Sequence, residues 1–244
     1  MNQRIPSLAA AALLLAAAGC SNEDDDKDAT DAGAPASSSA AAEPTNDPAI
    51  EDEETLAPGV PAYDEFVLST GATVRVDVAA PAEGWFVHLG DPQRGLNVGP
   101  ESAWTGLLWY ETTGVFQDQC GDDDRSAEAA TPMTDSLRPL VTMPYLRKVV
   151  QDPARATLGG RVAEHAVLVL KGCGAKEDHT NPLATAGASG PLPGDRPFDI
   201  WLVPLPEADT AMVVFDPTGD GSAEVRGQWQ QVVDSLRITV TPGG

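Results

Sequence analysis

The side chains with the clearest chemical potential are the three cysteines, and the first of them, Cys20, follows a short apolar segment. Arg4 places a positive charge near the start, and residues 8–18 form an uncharged run of Leu and Ala. Such a run is too short for a permanent membrane-spanning helix, and it ends in small residues, as cleaved secretory signals do. The sequence therefore predicts export, with residues 1–19 as the signal peptide.

The residues just before this cysteine point to its chemistry. The stretch Leu15-Ala16-Ala17-Ala18-Gly19-Cys20 resembles the lipobox of bacterial lipoproteins, although Ala17 stands where that family prefers Leu. In the family, the cysteine thiol receives a diacylglycerol, with acyl chains such as palmitate, and becomes the new N-terminus. The resemblance implies that Cys20 anchors the protein to the extracytoplasmic face of the cell membrane. The alternative is an ordinary signal peptide with an unrelated cysteine.

The other two cysteines, Cys120 and Cys173, are a pair in a chain that we expect to be exported. Exported proteins meet an oxidising environment, so an even number of cysteines predicts a disulfide. Closing a loop of about 53 residues would stabilise the fold by about 4 kcal/mol in the chain-entropy description. Two buried thiols or half of a metal site are the alternatives.

The remaining chemistry-bearing residues form no known catalytic motif. Ser189 is not in a nucleophile elbow, which needs a glycine two residues before and two after the serine. Asp216 begins a run with part of the calcium-loop order, but Gly227 stands where a bidentate Glu belongs, and a tight turn explains the same residues. The three histidines are far apart in the sequence: His88, His165 and His179. The sequence therefore predicts no catalytic residue, metal or cofactor, with Asp199 and Asp216 as the carboxylates that an unrecognised hydrolase could use.

The charge of the chain limits its partners. It has 15 Lys and Arg against 37 Asp and Glu, a net charge of -22. Residues 21–60 hold twelve of the acidic residues with one lysine, and the rest of the chain is acidic as well. Nucleic acid and anionic lipid surfaces are therefore disfavoured partners. Residues 20–61 also lack enough apolar surface to offset their ordering entropy, which predicts a disordered acidic linker before a single domain at 62–242.

Within that domain, apolar periodicity predicts strands, then a weak helix, then further strands and a strong C-terminal helix. Residues 73–78 alternate with a period of two, and residues 162–170 are apolar enough for a strand buried on both faces. A hairpin is expected from residues 198–203 and 211–215, around a turn at Pro206–Asp209.

Two helices and one long loop complete this prediction. Thr131-Pro132 predicts a helix start, and residues 171–197 predict a long loop. Ser222 is the predicted cap of a C-terminal amphipathic helix, whose apolar stripe is Val225, Trp229, Val232, Val233 and Leu236. The expected fold class is α+β, an antiparallel sheet packed with helices that include this long C-terminal one.

Several short motifs of the mature part also have a familiar order. They resemble those of an uncharacterised group of actinobacterial secreted and lipid-anchored proteins: Pro81–Trp85, Trp109, Cys120, Thr131-Pro132, Gly159-Gly160, Cys173 and Trp229–Ile238. The last motif, Trp229–Ile238, also resembles the closing helix of PsbP-like folds. The resemblance implies an antiparallel sheet between helices and no catalytic residues.

Together these observations predict a monomeric, lipid-anchored and non-catalytic module that binds a small ligand or another envelope protein. One alternative is a structural lipoprotein that coats the surface, and another is a hydrolase with scattered carboxylates. A pocket lined by Trp85, Trp104 or Trp109 would argue against the surface-coating alternative.

Overall fold

The computed structural model of the chain describes residues 54–89, 94–98, 105–120, 130–173, 179–185, 189–216 and 223–243. The predicted signal peptide, Cys20 and most of the predicted linker lie outside the described residues. The helices of the described part are α1 (Arg138–Val141) and α2 (Ala223–Ser235). Its strands are β1 (Pro61–Val67), β2 (Thr73–Ala79), β3 (Trp85–His88), β4 (Arg94–Val98), β5 (Thr105–Thr112), β6 (Gly114–Val115), β7 (Thr131–Pro132), β8 (Leu146–Leu158), β9 (Arg161–Leu170), β10 (His179–Ala184), β11 (Ser189–Pro193), β12 (Pro197–Leu205), β13 (Thr210–Phe215) and β14 (Arg237–Thr241).

The strands pair into three antiparallel sheets. The largest is seven-stranded, in the order β3-β4-β5-β13-β12-β9-β8. A three-stranded sheet has the order β1-β2-β14, and a four-stranded sheet has the order β11-β10-β6-β7. The seven-stranded sheet is built from hairpins, and β13 joins its two halves by pairing with both β5 and β12.

This architecture shows that the predicted α+β class is wrong, because the described chain is mostly strand. The predicted long C-terminal helix is only the 13-residue α2, and the chain turns into β14 two residues after the helix ends. The helix start predicted at Thr131-Pro132 is wrong, since these residues form β7 and the four-residue α1 begins only at Arg138. Pro139 sits in the first turn of α1, where its missing N–H costs no helical hydrogen bond.

The predicted long loop at 171–197 is also wrong, because it contains β10 and β11. These strands pair with each other, and β10 pairs with the distant β6 through Leu183 and Val115. The Gly and Pro content of this stretch indicated a loop, whereas the pairing depends on a partner about 70 residues earlier in the chain. Tertiary pairing therefore overrides the local signal here.

The core lies on both faces of the seven-stranded sheet. One face packs against the three-stranded sheet and α2, and the other packs against α1 and the four-stranded sheet. Alternate residues of β12 divide between the two clusters: Phe198, Ile200 and Leu202 on one face, and Trp201, Val203 and Leu205 on the other. Burial on both faces explains why these strands are apolar without a period of two.

Other local predictions are confirmed by the pairing. Residues 73–78 lie in β2, with Val74, Val76 and Val78 buried on one face. The predicted hairpin is β12 paired with β13, around a turn at residues 206–209. Gly159 and Gly160 form the tight turn between β8 and β9, with φ angles of 59° and 79° that favour glycine.

The folded part includes residues before the predicted boundary at 62. Thr55 forms a β-bridge with Phe86, and the Leu56 amide donates to the carbonyl of Trp85 at 2.9 Å. Leu56 is buried in the core that lies under the three-stranded sheet. Residues 54–56 therefore already contact the strands, because the Glu54 carbonyl also accepts from the Val87 amide at 3.0 Å.

Candidate functional site

Three rings from three elements form a continuous aromatic stack on the face of the seven-stranded sheet that carries α2. His165 of β9 and Trp201 of β12 are a cross-strand pair whose ring centroids lie 4.4 Å apart, with an angle of 17° between the planes. Trp201 contacts Trp229 of α2 with centroids 5.4 Å apart. The Trp229 indole N–H donates to the Gly106 carbonyl at 3.1 Å, which fixes the helix over β5. The stack therefore sets the position of α2 on the sheet.

Both ring nitrogens of His165 have a partner. Nε2 lies 2.7 Å from Oδ1 of Asp199, and Nδ1 lies 3.4 Å from the side-chain nitrogen of Gln151 on β8. A neutral ring with its proton on Nε2 satisfies both contacts, donating to the carboxylate and accepting from the amide. A histidine that acts as a general base needs a nitrogen that faces its substrate or nucleophile. The observed contacts leave neither nitrogen available for that role.

A cleft of about 380 Å³ lies beside this stack, between α2 and the ends of β9, β12 and β13. Its lining combines apolar side chains with carboxylate, guanidinium and amide groups: Val167, Pro197, Phe198, Asp199, Asp216, Arg226, Trp229 and Gln230. The volume falls in the range of small-molecule sites, and so does the combination of an apolar lining with a few polar groups. Among the described residues, this cleft is the strongest candidate for a functional site.

Two carboxylates meet in the cleft because of the hairpin register. Ile200 pairs with Phe215, so the next residues outward, Asp199 and Asp216, lie side by side. The Asp216 amide donates to the Asp199 carbonyl at 3.1 Å, which holds the two residues together. Asp216 is 8% exposed, whereas the Asp199 side chain is 31% exposed. The two candidate carboxylates of the sequence therefore do converge in one cleft.

Arg226 supplies the positive charge of the lining. It lies on the first turn of α2, is exposed, and forms no ion pair with another described residue. Two carboxylates against one guanidinium leave the lining with an excess of negative charge. Such a lining favours a ligand with a cationic group over an anionic ligand.

The two later cysteines lie next to each other, as the disulfide prediction requires. The Cα atoms of Cys120 and Cys173 are 5.2 Å apart, within the range that a disulfide spans. The Gln119 carbonyl accepts hydrogen bonds from the Asn181 amide at 2.8 Å and the Thr180 hydroxyl at 3.1 Å, which joins β10 to the same region. The first cysteine, Cys20, lies outside the described residues.

Two of the three tryptophans that the sequence suggested as pocket residues have structural roles instead. Trp85 and Trp109 are buried in the core. Their indole N–H groups donate to Gln228 at 3.1 Å and to Asp64 at 2.9 Å. Trp104 lies outside the described residues. The cleft uses Trp229 instead, which the sequence showed only as part of an apolar helical stripe.

The other candidate residues do not join the cleft. His88 ends β3 at the far edge of the seven-stranded sheet, and His179 begins β10 in another sheet. The calcium-loop prediction runs from Asp216 to Gly227, and its residues 217–222 lie outside the described residues. Within the described part, no group of three or more His, Cys, Asp or Glu residues could hold a metal ion.

Comparison of the chain with protein-family models, with curated proteins and with solved structures finds no match. The resemblances to lipoproteins and to PsbP-like folds therefore stay predictions. In the part of the chain that the structure describes, no helix combines the length and apolar character needed to span a membrane.

Proposed function

We propose that this protein is a lipid-anchored extracytoplasmic module that binds a small organic cation or zwitterion without transforming it. The observation that carries this proposal is the cleft beside α2, with its excess of carboxylates and its indole wall. An ammonium group would lie near Asp199 and Asp216, while an apolar part of the ligand packs on Trp229. A zwitterion would also meet the guanidinium of Arg226.

Binding is favoured over catalysis by the contacts of His165. Its two nitrogens are engaged by Asp199 and Gln151, so the imidazole supports the carboxylate instead of facing the cleft as a base. The aromatic contact with Trp201 fixes the plane of the ring as well. A fixed ring and an oriented carboxylate suit a preorganised binding site, because less order must be gained when the ligand binds.

Calorimetric titration with two probes of similar size and opposite charge tests the ligand class. We expect 2-phenylethylamine to bind about ten-fold more tightly than 3-phenylpropionate, because the carboxylates attract one probe and repel the other. Asp199→Asn keeps the size of the side chain and should weaken amine binding about five-fold. Equal binding of the two probes, or an Asp199→Asn variant with unchanged affinity, would contradict the proposal.

Asp209→Asn is the matched control for charge. Asp209 is exposed in the turn between β12 and β13, and its φ of 51° is one that Asn tolerates. The variant loses the same charge as Asp199→Asn outside the cleft. Its affinity for the amine should equal that of the wild-type protein.

The anchor rests on Cys20 and has its own test. Cys20→Ser removes the thiol that would accept the diacylglycerol, so the variant should stay unprocessed or appear as soluble material. Detergent partitioning and the mass of the mature protein measure this directly. A variant that still partitions fully into detergent with an unchanged mature mass would contradict the lipoprotein assignment.

A hydrolase is the second candidate, and the convergence of Asp199 and Asp216 in one cleft favours it. Paired carboxylates can serve as general acid and general base or nucleophile. A panel of nitrophenyl esters and glycosides measures such activity as nitrophenol release. If nitrophenol release is lost in both Asp199→Asn and Asp216→Asn but retained in Asp209→Asn, the protein is a hydrolase and the binding proposal is replaced.

A further inference from the structure

The outer strand of the seven-stranded sheet is long and unusually exposed. Strand β8 spans 13 residues and forms the end of the sheet, and among the described strands it pairs only with β9. Eight of its residues are exposed, and Val150 is 48% exposed. An exposed edge strand offers unpaired backbone groups and side chains to another chain.

Basic residues concentrate at this edge, although the chain as a whole is strongly acidic. Strand β8 contains three of the fifteen Lys and Arg residues, Arg147, Lys148 and Arg155, but only one acidic residue, Asp152. The net charge of this segment is therefore positive, within a chain whose net charge is -22. The edge thus differs in sign from the rest of the molecule.

Two of the basic residues near the edge are used within the fold. Arg147 pairs with Asp195 at 2.8 Å, and Arg161 pairs with Glu207 at 3.0 Å. Lys148 and Arg155, by contrast, form no ion pair with the described residues, and both are exposed on β8. These two side chains can therefore meet an external acidic group without breaking an internal pair.

Lys148 and Arg155 lie on opposite faces of the edge. In the register of β8 and β9, Arg155 lies opposite Glu164, and the Glu164 carboxylate accepts a hydrogen bond from the Leu137 amide on the α1 side. Lys148 lies opposite Val169 in the same register. Val169 is two residues from Val167, which lines the cleft on the α2 side. A flat surface such as a membrane would meet one face at a time. An extended chain along the edge, with side chains alternating in direction, would meet both.

A second copy of the same strand fits this edge poorly. Two β8 strands side by side would bring like charges together, which is unfavourable. Pro153 also lacks a backbone donor, and the pairing of β8 with β9 contains three register shifts. These features discourage pairing between identical edges but leave electrostatic attraction to an acidic chain intact.

We propose that β8 is a docking surface for an extended acidic segment of a partner protein. Lys148 and Arg155 provide the charge recognition on the two faces of the edge, and Val150 provides an apolar contact between them. The proposal rests on residues of β8 and does not depend on the ligand proposed for the cleft.

Fluorescence anisotropy with the full-length protein and a labelled peptide of alternating Glu and Thr tests this assignment. We expect binding at low salt that weakens at physiological ionic strength, and no binding of the matched Gln and Thr peptide. Lys148→Gln and Arg155→Gln should each weaken binding about three-fold, and the double variant about ten-fold. Arg237→Gln, an exposed cation on β14, is the control and should leave binding unchanged.

Three results would overturn the proposal. The first is equal binding of the Glu and Gln peptides, and the second is unchanged affinity in the double variant. In the third, the wild-type protein binds phosphatidylglycerol vesicles but not the peptide, and the double variant no longer binds the vesicles. That result would assign the edge to a membrane. Circular dichroism of each variant shows that the fold is intact, since these exposed side chains hold no part of the core.

Discussion

A buried ion pair joins the three-stranded sheet to the seven-stranded sheet, and its removal gives the sharpest test of the fold. The Asp64 side chain on β1 is 2% exposed, and the Arg94 side chain on β4 is 19% exposed. Arg94 donates from Nε and Nη2 to the two carboxylate oxygens, each at 2.8 Å. The indole N–H of Trp109 on β5 adds a third bond at 2.9 Å. These three polar contacts of the carboxylate all come from the neighbouring sheet.

The variant Arg94→Met keeps much of the apolar stem but removes both charged donors. Each hydrogen bond to a charged group contributes about 1.5–3 kcal/mol, so the two together predict a loss of about 3–6 kcal/mol. Breaking a buried pair from one side costs about 3–5 kcal/mol, which agrees with this sum. The loss arises mainly because the Asp64 carboxylate stays buried without its charged partner.

Urea unfolding of the single and double variants separates this cause from simple loss of packing. If the orphaned carboxylate is responsible, Asp64→Leu combined with Arg94→Met should recover part of the loss, to within about 1–3 kcal/mol of the wild-type protein, because only the buried Trp109 N–H then lacks its partner. Arg75→Met is the control, because Arg75 and Asp77 form a partly exposed pair worth at most about 1 kcal/mol. A loss below about 1 kcal/mol for Arg94→Met, or a double variant that loses more than either single one, would refute the reasoning.

Three further predictions concern the disulfide and two titrating groups. Replacing Cys120 and Cys173 with Ala should lower the free energy of unfolding by about 2–5 kcal/mol, and alkylation of the unreduced protein should find no free thiol at either position. The hydrogen bond from Arg161 lowers the pKa of Glu207. This hydrogen bond therefore makes a small contribution to the stability of the fold at neutral pH, which is lost as the pH falls through the lowered pKa. NMR titration of Arg161→Gln should move that pKa back toward the usual carboxyl value. Burial raises the pKa of Tyr110 well above its usual value of 10.0, so the free energy of unfolding should fall as the pH rises above 10.0. Absorbance at 295 nm should show the ionisation of Tyr110 only with unfolding, and Tyr110→Phe should remove this part of the pH dependence.

The strands could be predicted where the local pattern and the final burial agree. Residues 73–78 bury one face in the core, so their alternation identified β2 correctly. The hairpin of β12 and β13 was also predictable, because its apolar runs flank a short polar turn. Given the turn at residues 206–209, the antiparallel register itself places Asp199 next to Asp216. The convergence of the two carboxylates therefore follows from the sequence once the two strands of the hairpin are aligned residue by residue.

The fold class could not be predicted because it depends on long-range pairing. Val115 and Leu183 pair across 68 residues, and neither flanking stretch shows strand periodicity. Strand β10 was therefore predicted as part of a loop. In the same way, Pro132 is compatible with the first turn of a helix, but Thr131 and Pro132 pair with β6. Local propensity is a weak guide where a partner strand supplies the stabilising contacts.

The aromatic stack was beyond sequence reasoning for a different reason. His165 and Trp201 meet only because β9 and β12 pair in one particular register, and a shift by one residue would turn one ring to the opposite face. Trp229 then depends on how α2 crosses the sheet. The apolar stripe of the helix showed that it packs on a core, but not which strands it covers.

The cleft and the basic edge are joined by two contacts, so the two proposals predict that they influence each other. Gln151 lies on β8 and contacts His165, which in turn contacts Asp199 in the cleft. An acidic segment that displaces the Gln151 amide would free Nδ1 of His165 and change the environment of the carboxylate. We expect the affinity for 2-phenylethylamine to change about five-fold when the Glu and Thr peptide saturates the edge. Because linkage is reciprocal, the affinity for the peptide should change by the same factor when the amine is bound. Gln151→Ala should remove this coupling while each partner still binds alone. Equal amine affinities with and without the peptide would show that the two surfaces act independently.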